Sequence, residues 1–268
     1  MSWMIFIVYF VVVILPVVFW FKFFRHQDRA EPEPKKLLFK VFLGGIPVVA
    51  LASVAEGILE GVFFPQISTK LAETVGGGIQ DFVGSPEQLF GFLAIYFLAG
   101  PVEEFMKFFV LKQLVYRKIA FNQVADGLIY AVTIALSFSL IENSIYFFNI
   151  LDEMSLSFDF IAIVVIRGVI TTMLHVLAAA IMGLYLGRAK FAKKNKKKLI
   201  VKGVVIAAMV HGTYNVAIFL SFGMLVNIFL LAVCFRYIMR ELKTEESRMV
   251  WRLVIPKEEV ISSDSELG

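Results

Sequence analysis

The chain has 268 residues, 59% of them hydrophobic and 18% charged, with a net charge of +4 and a mean hydropathy of +0.80. A soluble domain is nearer half apolar, so this composition excludes an ordinary soluble enzyme and offers no nucleic-acid-binding surface. The single cysteine, Cys234, excludes an intrachain disulfide.

Trp3 to Phe21 is apolar throughout and is followed by Lys22, Arg25 and Arg29. The basic residues come after the run and no small-residue cleavage site appears, so it reads as a retained helix and not a secretory signal. His26 to Lys36, with Pro32 and Pro34, is a polar loop. Leu37 to Phe64 is a second helix, with a kink expected at Pro47 and with Glu56 and Glu60 one turn apart near its far end. Pro65 to Gly84 contains Gly76, Gly77 and Gly78 and reads as a loop with room for a short amphipathic helix. Ser85-Pro86-Glu87-Gln88 has the form of a helix start, with a capping serine, proline at the first position and a glutamine to complete the box. The third helix runs from there to about Tyr116. A basic turn follows, then helices over Asp126 to Asn149, Phe158 to Gly187, Leu199 to Leu220 and Gly223 to Arg240.

The fold class expected is therefore all-α, a polytopic membrane bundle of about seven transmembrane helices. Residues 1–240 form one integral-membrane domain with its core at 86–220, and 241–268 form a charged cytosolic tail. Seven spans place Arg25, Arg29, Lys35, Lys36, Arg117, Lys118, the run Lys193 to Lys198, Lys243 and Arg248 on one side, and only Lys70 on the other. That asymmetry predicts an outer N-terminus and a cytoplasmic C-terminus. No internal repeat is visible.

Charges inside such runs cost at least a few kcal/mol each and mark function. Glu103 and Glu104 are adjacent in the third helix, with Lys107 one turn on. At ~1.5 Å per residue, Glu103, His175 and His211 all lie about 13–20 Å above the inner face. Each helix has one polar stripe: Glu103 with Lys107, Glu142 with Tyr146, Arg167 with Thr171 and His175, and His211 with Asn215. Neighbouring carboxylates in a helix diverge by ~100°, so Glu103 and Glu104 have separate tasks. An ion pair between Glu142 and Arg167 and another between Glu103 and Lys107 account for the supporting charges. Lys193 to Lys198 is a solvated anchor without chemistry.

The set Glu103-Glu104-x-x-Lys107, Asp126-Gly127-x-x-Tyr130, Glu142-x-x-x-Tyr146, His175 and His211-x-x-x-Asn215 resembles the PrsW family of intramembrane proteases, which are similar to the CAAX-processing and Abi proteases. The resemblance spans about Pro101 to Asn215. In the wider group the basic residue follows the second glutamate by four positions, whereas Lys107 follows the first. The resemblance implies a cell-membrane endopeptidase that cuts a single-pass, membrane-anchored protein of the anti-sigma-factor kind. Amide hydrolysis needs a base, a water and an oxyanion stabiliser. Glu103 or Glu104 supplies the base, His175 helps to hold the water, and His211 and Asn215 donate to the oxyanion, with no cofactor required. Two alternatives stay open. One is a zinc protease with Glu103, His175 and His211 as ligands. The other is a proton-coupled transporter built on the membrane carboxylates, with a non-catalytic scaffold as the third class. Chelation separates the first, and ion flux without the histidines the second.

Overall fold

The structure, a computed structural model, describes residues 3–27, 31–63, 95–154, 157–218, 220 and 222–254. Among them are seven helices and no strand. We number them α1 (Trp3–Gln27), α2 (Lys35–Phe63), α3 (95–115), α4 (Val124–Met154), α5 (Phe158–Phe191), α6 (Lys196–Ala217) and α7 (Gly223–Val254). All but α3 are long and apolar enough to cross a membrane. α3 misses that description because its described residues carry Glu103, Glu104, Lys107 and Lys112. The helix start expected at Ser85 and the loop from Pro65 lie outside the described residues.

The helices run beyond their apolar limits into charged sequence. α1 continues to Gln27, α5 to Phe191, and α7 runs unbroken to Val254. Lysine, arginine and glutamate are good helix formers, so the ladder does not stop at the edge of the hydrophobic run. α2 stays helical through Pro47. Three helices contain a π-helical segment that periodicity does not reveal: Phe10–Ile14 in α1, Ile95–Ala99 opening α3, and Ile166–Thr171 in α5.

α4 and α5 form the centre. Within α4, 78% of the apolar window is buried, against 28% in each of α1 and α7, so α4 is protein-facing and the other two face lipid. α4 and α5 cross on glycine. A Cβ at Gly183 would lie 2.2 Å from the Gly127 carbonyl oxygen and 2.5 Å from Ala131 Cβ. One at Gly187 would lie 2.2 Å from the Val124 carbonyl oxygen. Gly183-x-x-x-Gly187 is the small-residue spacing that lets membrane helices approach backbone to backbone. Farther along, Ser139, Asn143 and Thr172 join the same two helices through buried hydrogen bonds of 2.9–3.1 Å. α2 packs on α3 and α4, α6 on α3 and α5, and α7 on α5 and α6.

Asp126, Gly127 and Tyr130 lie at the end of α4 away from the carboxylate pair. Asp126 accepts the N–H groups of Asn122 and Gln123 at 2.8 and 2.7 Å, which closes the turn before α4. The Tyr130 hydroxyl donates to Glu33. This motif is a scaffold for the α4 start and the α4–α5 crossing.

The orientation expected from the basic loops has a direct test on a Cys234→Ser background. Ser157→Cys should react with an impermeant thiol reagent on intact cells, and Lys194→Cys only after permeabilisation. The opposite pattern would invert the bundle.

Candidate active site

α3 meets α6 where neither has a side chain. A Cβ at Gly100 would lie 2.8 Å from the Gly212 amide nitrogen, and one at Gly212 would lie 2.6 Å from the Tyr96 carbonyl oxygen. Tyr96 belongs to the π segment that opens α3. Proline follows at position 101, in the first α turn, where a missing N–H costs little. This approach sets the first turn of the regular helix, with Glu103 and Glu104, against His211 on the facing helix.

The two carboxylates diverge as a helix requires. Glu104 is fully buried, and Glu103 is 8% exposed at the edge of a cavity. The Lys107 ammonium, itself fully buried, binds both: 2.8 Å to Glu104 Oε1 and 3.2 Å to Glu103 Oε2. It also lies 3.0 Å from His175 Nδ1 and 4.0 Å from the centre of the Phe138 ring. An ammonium has only donors, so His175 Nδ1 is the acceptor and its proton sits on Nε2. Nε2 lies 2.8 Å from Glu142 Oε2, close but out of line for a hydrogen bond. Glu142 is held on its other oxygen by Arg167 at 3.0 Å. The Arg167 guanidinium stacks over Tyr146 at 3.4 Å. On the far side, His211 Nδ1 lies 3.0 Å from Glu104 Oε1, and the two imidazole rings are 5.0 Å apart. A carboxylate only accepts, so Nδ1 of His211 carries the proton.

All ten residues that the sequence singles out thus belong to one connected region. They differ in what they face. Glu103, Glu142, Tyr146, Arg167, Thr171, His211 and Asn215 line a cavity of about 560 Å³, while Glu104, Lys107 and His175 are packed behind it. The Asn215 side chain makes no hydrogen bond to another described residue. Thr171 is bonded to the Tyr214 hydroxyl at 3.0 Å. From Glu103 the cavity reaches Glu56 on α2, Asn149 on α4 and Ile218 on α6, toward the end of the bundle where α2 and α6 finish. Sequence reasoning left out Glu56 and Tyr214. Glu56 carried the signal, a carboxylate in an apolar helix, but its place near the helix end set it apart from the residues grouped at mid-depth. Tyr214 follows His211 by three positions and shares its face, a spacing that marks it in retrospect.

A metal ion was one alternative, and the donor set has the right composition. One ligand atom each from Glu103, His175 and His211 lies within 4.8 Å of the others. His211, with Nδ1–H held by Glu104, keeps Nε2 open, but the His175 Nδ1 lone pair is taken by Lys107 and Glu103 Oε2 by the same ammonium. A dication here would sit beside a buried ammonium that is already bonded to two of its three ligands. The residues as arranged do not fit a metal ion.

A family model described as "PrsW family intramembrane metalloprotease" matches residues 33–239, which takes in every helix that lines the cavity. The chain is 26% identical to Protease PrsW of Bacillus subtilis (strain 168) over 203 residues, 75% of this chain and 78% of that protein. It is 28% identical to Protease PrsW of Clostridioides difficile (strain 630) over 215 residues, 80% of each. It is 32% identical to Protease PrsW of Halalkalibacterium halodurans over 128 residues, 48% of this chain and 55% of that protein. No solved structure matches it.

Proposed function

Because the chain belongs to the PrsW family of intramembrane proteases, we propose that its cavity hydrolyses a peptide bond of a single-pass, membrane-anchored protein with water activated by Glu103. The chain is a multi-pass membrane peptidase. The observation that carries it is the division of the carboxylate pair. Glu103 faces the cavity and Glu104 does not, so only Glu103 can reach a water and a scissile carbonyl.

In this reading Glu103 takes a proton from water as the hydroxide adds to the carbonyl carbon. Asn215, with an amide free to donate, stabilises the tetrahedral oxyanion. His211 shifts from the oxyanion role expected from sequence. With Nδ1–H held by Glu104, its neutral ring keeps Nε2 as an acceptor. It therefore orients the water by accepting its second O–H, while the proton taken up by Glu103 passes to the departing amine nitrogen. Glu104 orients this imidazole as a carboxylate orients a catalytic histidine elsewhere. His175, behind the cavity, positions Glu142 and Lys107. The products are a carboxylic acid and an amine, and no external reductant or oxidant enters.

An intact substrate helix hides its peptide bonds in its own ladder, so the scissile bond lies in an extended or unwound segment. The cavity runs from Glu103 to Glu56 and Asn149, the end that the basic residues assign to the outside. The substrate is thus cut at or near the outer end of its helix, and an anti-sigma-factor-like protein has that form. Mass-spectrometric mapping of any accepted substrate tests this. A cut on the cytoplasmic side of its helix would refute the proposal.

A further inference from the structure

The matching family model describes a metalloprotease, but the place where a metal would sit is taken. We infer that the Lys107 ammonium holds the position of a divalent cation and keeps metal out of this site. The atoms around Nζ are Glu104 Oε1 at 2.8 Å, His175 Nδ1 at 3.0 Å and Glu103 Oε2 at 3.2 Å. Two carboxylate oxygens and an imidazole nitrogen are a hydrolytic zinc set in type, and His211 stands beside them, 3.9 Å from Glu103 Oε2. What they surround is an ammonium delivered from the same helix, one turn beyond the glutamates. Its distances are those of hydrogen bonds, longer than the ~2.0–2.2 Å of zinc ligands. Phe138 backs the ammonium at 4.0 Å, so its charge is met on the remaining side by a ring face.

Charge supports the same assignment. Glu142 is already matched by Arg167. That leaves Lys107 as the cation in contact with both Glu103 and Glu104. Taking its charge away leaves two carboxylates facing one space, the balance a dication restores. The lysine supplies half of that charge as part of the chain, so the site is complete when folded and does not depend on metal supply. It acts as a positioning residue: it turns Glu103 toward the cavity and fixes the Nε2–H tautomer of His175.

The inference rests on the hydrolytic reading only for this positioning role. Its test reads metal content without substrate, so the two can fail separately. Wild type, Glu103→Gln, Lys107→Ala, Lys107→Met and Lys107→Ala/Glu103→Gln, each purified in detergent, are incubated with Zn²⁺, desalted and analysed by elemental mass spectrometry and thermal unfolding. Wild type should retain no more zinc than the double variant and show no shift in Tm. Lys107→Ala should retain close to one zinc per chain and be stabilised by it, as any ligand that binds only the folded state stabilises. Should the alanine variant fail to fold, Lys107→Met, which keeps the bulk without the charge, should gain zinc binding in its place. Stoichiometric zinc in wild type that Glu103→Gln removes would overturn the inference. So would a folded lysine variant that takes up none.

Discussion

Glutamine at position 103 is expected to lower peptide-bond turnover by about 10²–10⁴-fold while the bundle stays assembled. The loss follows from geometry. Glu103 is the member of the pair that lines the cavity, and an amide cannot take the proton from water. The bundle survives because Lys107 keeps Glu104 and His175 as partners, at 2.8 and 3.0 Å. Removing the last partner of a buried charge costs about 3–5 kcal/mol, and Glu103→Gln does not do that. Glu104→Gln differs in kind. It takes the accepting carboxylate from both Lys107 and His211, so activity and thermal stability should fall together. His211→Ala should approach the loss at Glu103, and Asn215→Ala should be milder, since it removes one donor. Turnover of a membrane-anchored reporter in proteoliposomes, read beside Tm in detergent, checks the set. Near-normal turnover in both Glu103→Gln and His211→Ala would end the proposed mechanism.

Valine at position 183 should destabilise the protein by 3 kcal/mol or so, the upper part of the range for overpacking. A single added Cβ already meets the Gly127 carbonyl oxygen at 2.2 Å and Ala131 Cβ at 2.5 Å. These are backbone and first side-chain atoms and cannot swing aside. α4 and α5 would have to separate, and the bonds of Asn143 and Ser139 to Thr172 cross the same interface. The His175–Glu142 contact spans it too. Gly183→Val should therefore show low accumulation, a depressed Tm and lost activity at once. A variant that accumulated with wild-type Tm would show that the crossing is looser than the glycines suggest.

The helices were legible because apolar runs of membrane length are hard to mistake, and the polar stripes because a charge in such a run has few reasons to be there. Glu103, His175 and His211 could be grouped by depth from spacing alone. The choice between Glu103 and Glu104 could not. Helical rotation shows that they diverge, and only the approach of α6 at Gly212 tells which one is sealed. Gly183 and Gly187 carry no signal of their own in the sequence, since their meaning lies in the partner backbone. Phe138 and Tyr214 carry no charge to mark them, though one backs the ammonium and the other borders the cavity.

The π segment Ile166–Thr171 bears on how this chain can change length. A π turn holds an extra residue without ending the helix. One residue fewer there would return α5 to a regular helix and turn everything before it by ~100° relative to His175. Arg167 sits inside the segment, and it must meet Glu142 at 3.0 Å and Tyr146 at 3.4 Å from the same side of the helix that carries Thr171 to Tyr214. A change of one codon inside the membrane is thus a change of direction and not only of height. Between Phe191 and Lys196 an added residue alters only the reach of the connection. Homologous chains can vary freely in that loop, whereas α5 must keep its count.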